Sequence, residues 1–131
     1  MSDTVTLSVP ARPEYAKTVR MTAAALATRA GMPYEAVEDV RLAAEEAFAY
    51  ACGRTEAGVA VTLEFTVSDG GLDVAVGPVP AVAAPAEEAR EVAEYARFIL
   101  DAVCDDLDIS DEGGACHVRL SKRIAPGAPG A

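Results

Sequence analysis

At 131 residues the chain is long enough for one domain with one hydrophobic core. Half of it is hydrophobic (51%), but only 5% is aromatic and there is no Trp, so small and β-branched side chains must build that core. A net charge of −10 argues against nucleic acid, whose binding is driven by Lys and Arg contacts to phosphate, and favours a basic protein face; solubility alone is the plainer reading of the same charge.

The first ten residues, MSDTVTLSVP, carry neither the basic nor the apolar region of a signal peptide. No window is long enough to span a bilayer, so a cytoplasmic protein without membrane contact is expected. Residues 4–11 alternate polar and apolar side chains and read as a first strand. From Arg12 the period becomes helical, with Tyr15, Val19, Ala23, Leu26 and Ala30 on one stripe and Gly31 as the stop. Pro33 opens a second helix through Cys52, with Glu35 in its first turn and an apolar stripe of Val37, Val40, Ala44, Ala47, Phe48 and Ala51. Inside it, LAAEEAFAYAC sets two adjacent carboxylates, Glu45 and Glu46, in an apolar run, with Tyr50 four residues after Glu46.

Residues 53–58 break the helix. VAVTLEFTV and LDVAV then flank SDGG, the pattern of a β-hairpin. Residues 77–86 carry three prolines and read as a loop. A third helix is predicted over 87–105, with Val92, Tyr95, Ile99, Ala102 and Val103 facing inward. LDIS reads as a short strand, DEGG as a turn and residues 115–124 as a last strand. The order β-α-α-β-β-loop-α-β-β predicts a two-layer α/β (α+β) sandwich: a mixed, mostly antiparallel sheet with three helices on one face. The domain is expected over 1–124, with 125–131, APGAPGA, as a flexible tail.

Cys52, Cys104 and Cys116 are odd in number and far apart, with no metal-ligand spacing, and read as free thiols. Cys104 and Cys116 could still be neighbours in space, which would allow redox sensing. His117, the sole histidine, reads as a strand-surface residue, and no residue set has triad spacing.

The element order, the helix EDVRLAAEEAFAYA and the ending FILDAVCDDLDISDEGGACHVRLSKRI together resemble the anti-sigma-factor serine kinases of the Bergerat-fold ATPases, relatives of histidine-kinase ATPase domains. The resemblance runs over roughly residues 5–124. It implies a catalytic Glu on the second helix, which Glu46 matches, and a magnesium-holding Asn four residues on, where this chain has Tyr50. A phenol, neutral at pH 7, is a poor magnesium ligand. The resemblance also implies an adenine-binding Asp after the hairpin; that position falls on Gly77 or Pro78, and neither offers a carboxylate. Finally it implies a glycine-rich lid entering the last helix, where Glu94 and Ala96 stand at the glycine positions.

Three nucleotide features have thus changed in three separate segments. The expectation is a non-catalytic anti-sigma-factor-like regulator without metal or other cofactor. Glu46 would be a vestigial base, and Glu45 would face solvent or a basic neighbour. Partners implied by the resemblance are a sigma factor and an anti-sigma antagonist protein, with a homodimer as the assembly. The first helix would carry the docking face through Arg20 and Lys17, though both also suit an ordinary exposed helix surface. Two alternatives stay open: an active serine kinase using ATP and magnesium to phosphorylate the antagonist, and a sensor binding another ligand in the vacated pocket.

Overall fold

The computed structural model describes residues 2–124, so the predicted tail, 125–131, lies outside the described residues. Five strands and three helices follow in the order β1 (Asp3–Pro10), α1 (Ala16–Arg29), α2 (Tyr34–Arg54), β2 (Ala60–Ser68), β3 (Gly71–Pro80), α3 (Glu87–Val103), β4 (Asp106–Ser110) and β5 (Ala115–Arg123). Short 3-10 turns precede α1 and β5. The strands form one sheet in the order β1-β2-β3-β5-β4. All four pairings are antiparallel, so the sheet is not mixed.

Alternation along each strand separates the two faces. On the inner face Val9 pairs with Val61, Leu7 with Leu63 and Val5 with Phe65. The ladder continues through Leu63–Val76 and Phe65–Val74, then Val74–Leu120 and Val76–Val118. The outer face is polar, with Arg123 holding Asp73 at 2.8 Å and the Ser121 hydroxyl donating to Asp106 at 3.1 Å. The stripes predicted for the first two helices are largely those buried. Val19, Ala23 and Ala30 are covered in and after α1, as are Val40, Ala44, Ala47, Phe48 and Ala51 in α2; Tyr15 is exposed.

Three expectations are corrected. First, residues 77–80 are not loop: β3 runs on to Pro80 through a bulge between Val76 and Val79. Proline is admitted because the ladder is locally broken there. Second, α3 turns a different face inward from the one predicted, and of the predicted residues only Ile99 and Val103 are partly buried. Ala93, Ala96 and Leu100 face the core, while Val92 and Tyr95 are 42% and 59% exposed and Ala102 is also exposed. Only small side chains permit the close approach of α3 to α2, where a Cβ added at Gly53 would lie 3.3 Å from that of Ala89. Third, Cys104 and Cys116 are not neighbours. Asp105, next to Cys104, bonds the Ser121 end of β5, five residues along the strand from Cys116. That is about 16 Å at the rise of a strand.

Gly77 has φ +93°, and a Cβ there would meet the Cys116 carbonyl oxygen at 2.7 Å. Gly77→Ala is therefore expected to lower unfolding free energy by about 1–3 kcal/mol, read by urea denaturation. An unchanged midpoint would show that the bulge relaxes freely.

Candidate functional site

α2 positions the residues singled out in the sequence. Tyr50 is one turn beyond Glu46 on the same helix, but the two enter different spaces. Tyr50 lines a cavity of about 380 Å³ together with Arg54, Arg90, Glu94, Arg97 and Asp111. Glu46 lines a second cavity of about 490 Å³, mostly apolar, formed with the start of α1 and the start of α3. Gly53 and Ala89, where α3 packs closely on α2, lie in the wall of this second cavity and not of the first.

The Tyr50 side chain is buried and its hydroxyl is used. It donates to Asp111 Oδ2 at 2.7 Å and accepts from Arg54 Nη2 at 3.1 Å. The Arg54 guanidinium also lies 4.9 Å from the centre of the Tyr50 ring, a cation–π arrangement. Arg54 Nε stands 3.8 Å from Asp111 Oδ1 and, although buried, has no hydrogen-bond partner. Burial and the bond to Asp111 push the phenol pKa up, so Tyr50 stays neutral. This arrangement offers donors to an anion; it offers no open set of hard oxygens to a cation. Among the described residues no three His, Cys, Asp or Glu side chains cluster to hold a metal ion.

The other predicted site residues are not brought to one place. Glu94 reaches the Tyr50 cavity, but from the middle of α3. Ala96 is fully buried in the core on that same helix, so neither residue belongs to a lid loop. Gly77 and Pro78 sit in the β3 bulge, with Gly77 packed against Cys116. The end of β3 and the segment after it are fastened at three points. Ala81 N–H donates to Gly114 O (2.8 Å), Val82 N–H to Arg54 O (2.7 Å), and the Thr55 hydroxyl to Pro80 O (2.6 Å).

On α1, Lys17 is exposed, and Arg20 is held by an ion pair to Glu45 at 2.7 Å. Glu45 therefore has its basic neighbour, at a surface geometry worth about 0–1 kcal/mol. Glu46 is 9% exposed, and its pKa is raised first by burial and then by the Glu45 charge beside it. The three thiols are free, and burial pushes them up to about 11 for Cys52 and Cys104 and about 12 for Cys116, so they are protonated and weakly nucleophilic.

Arg54, Arg90, Arg97 and Asp111 were not anticipated from the sequence. Arg54 stands four residues after Tyr50, and Arg90 and Arg97 stand seven apart, spacings that put each pair on one helix flank. Asp111 lies 61 residues from Tyr50 and gives no local signal.

Two substitutions test the site. Tyr50→Phe removes a hydroxyl serving both Asp111 and Arg54, and is expected to cost about 1 kcal/mol of stability in urea unfolding. Glu46→Gln depends on pH. A carboxyl whose folded pKa is raised weakens the fold above its unfolded pKa of about 4.5, and the penalty grows as pH rises through the folded value. The variant is therefore expected to melt higher than the parent at pH 7 and equally at pH 4. A gain of equal size at both pH values would assign the effect to packing instead of charge.

Comparison with known proteins agrees with this architecture. The histidine kinase-like ATPase domain family matches residues 9–122. A serine-protein kinase RsbW of Oceanobacillus iheyensis is 29% identical over 142 aligned positions, covering 94% of this chain and 88% of that protein. One of Listeria monocytogenes is 35% identical over 79 residues, 58% of this chain and 50% of that protein. One of Bacillus subtilis is 39% identical over 46 residues, 35% of this chain and 29% of that protein. The matched stretch thus spans about half the length of the Listeria relatives. On the match over 9–122, with the sheet and helices it covers, the chain belongs to the histidine kinase-like ATPase domain family, and it is similar within it to the serine-protein kinases that its sequence resembles.

Proposed function

We propose that the chain is a regulatory binding protein of the anti-sigma-factor kind, which holds a sigma factor, an antagonist protein or both and does not turn over MgATP. The observation that carries this reading is the direct packing of α3 on α2, close at Gly53 and Ala89, with Tyr50 and Glu46 lining separate cavities. The residues around it do not fit a magnesium triphosphate. Tyr50 occupies the position of the metal-holding Asn and is bound to Asp111 and Arg54. Glu46 opens into the other cavity. The bulge at Gly77 and Pro78 supplies no carboxylate for a purine amino group, and the segment that would form a lid is tied to α2 and to the turn before β5. A homodimer belongs to this reading as something the family resemblance implies.

A second reading has one observation in its favour. Glu46 stands at the position of the catalytic acid, and the relatives are named serine-protein kinases. An ATP-dependent kinase acting on an antagonist protein would keep that residue. Calorimetric titration with MgATP separates the two. No heat of binding is expected, and a dissociation constant of about 10 μM or tighter would favour the kinase.

The docking face proposed on α1 is better tested at Lys17 than at Arg20. Arg20→Glu would set a third carboxylate beside Glu45 and Glu46 and disturb the fold, whereas Lys17 is exposed. Lys17→Glu is expected to weaken capture of the cognate sigma factor about tenfold in a pull-down titration, and unchanged capture would remove α1 as the docking face.

A further inference from the structure

α3 is amphipathic in an unusual sense: apart from Leu100 its core face is small, and three of its large apolar residues point out. Val92, Tyr95 and Phe98 follow at three-residue spacing and are 42%, 59% and 71% exposed. Half-buried Ile99 continues the stripe. Side chains three and four apart share a helix flank, so these four form one apolar strip. Val92 also lines the 490 Å³ cavity, which adds Ala16, Phe48 and Cys52 to the same apolar surface. A strip and groove of this kind on a chain with 24% charged residues marks an interaction surface.

The charges around the strip select the occupant. Glu88 stands one turn before Val92, and Glu91 one turn before Tyr95; Glu45 and Glu46 line the groove. The two arginines of α3, Arg90 and Arg97, lie on the opposite flank, where Arg90 and Arg97 face the Tyr50 cavity. A second copy of this chain would bring Glu88 and Glu91 against their own equivalents. An anionic lipid surface would meet the same repulsion. A helix with an apolar face flanked by Lys or Arg meets neither obstacle, and it is the segment type that fills a hydrophobic groove.

We infer that the outward strip of α3, with the groove beside Glu46, is a docking face for a basic amphipathic helix of a partner protein. This goes beyond the regulator reading, because it names a face other than α1 and the chemistry of what binds there.

The test uses the full chain and a defined probe: a fluorescent peptide of about 18 residues made of Leu and Lys, with Leu at helical spacing. A Leu/Glu peptide of the same pattern and a scrambled Leu/Lys peptide are the controls. Binding of the patterned Leu/Lys peptide is expected, with the double substitution Tyr95→Ser and Phe98→Ser weakening it at least about tenfold. Both residues are exposed, so the variant should melt with the parent. As a second readout on the unsubstituted chain, the peptide should protect amides of residues 87–103 from hydrogen exchange. Equal binding by the double variant, equal binding of the scrambled peptide, or protection on the outer sheet face would each overturn the inference as diffuse attraction to an acidic protein. Self-association in sedimentation that the double variant abolishes would overturn it in favour of a second copy. None of these outcomes bears on α1, whose test reads sigma capture at Lys17.

Discussion

The separation between α2 and α3 is the constraint on which the site depends. A helix can lie directly on another only where the side chains between them are small, because interiors are close-packed and volume cannot be borrowed. Gly53 on α2 and Ala89, Ala93 and Ala96 on α3 provide that seam. Tyr50 and Glu46 of α2 line separate cavities, the first polar and the second mostly apolar. Leu100 is buried, but Val92, Tyr95 and Phe98 of α3 go to its flanks. The same sequence choice therefore sets the close approach of the two helices and leaves the apolar strip facing outward.

Polar groups hold the seam in register at its two ends. At one end, Tyr50, Arg54 and Asp111 join α2 to the turn before β5, and Thr55 and the carbonyl of Arg54 take up the end of β3 and the segment after it. At the other, Lys122 points inward from β5. Its ammonium donates to the Val103 carbonyl at 3.0 Å, on the last turn of α3, and lies 3.1 Å from Asp39 on the first half of α2. A cation at a helix C-terminus with a carboxylate beside it is favourable on both counts. Buried polar groups of this sort cost stability if left unpaired, so their value here is in fixing position more than in adding binding energy.

Much of the fold was legible because its signals are local. Strand alternation marked the strands, and the helical stripes of α1 and α2 contained Val19, Ala23, Val40, Ala44, Ala47, Phe48 and Ala51, which are buried. α3 was misread for the same reason. Weighting large apolar residues as core assigns Val92 and Tyr95 inward, and an alanine seam carries little hydropathy signal to oppose it. The continuation of β3 past Gly77 was hidden by its prolines, which a bulge tolerates and a regular ladder does not. At the site, Tyr50 could be read as standing where the resemblance implies an Asn, but not what its hydroxyl binds, since its partner Asp111 comes from a turn distant in sequence. The glycine positions assigned to Glu94 and Ala96 assumed a loop where the chain is helical.

The net charge of −10 also becomes more informative once it is placed on the fold. On the outer sheet face Asp73 is met by Arg123, Asp106 accepts from the Ser121 hydroxyl, and Asp108 pairs in register with Arg119. On α1 and α2, Glu45 is met by Arg20 and Glu38 by Arg41. On α3, five acids stand against two arginines, and both arginines lie on the flank that faces Tyr50. Glu94 stands with them, whereas Glu88 and Glu91 lie one turn before Val92 and Tyr95 with no arginine of α3 on that flank. Solubility would be served by acids anywhere on the surface. Their placement beside the one exposed apolar strip of α3 does something more specific, since it leaves the strip able to accept a cationic partner while repelling another acidic chain.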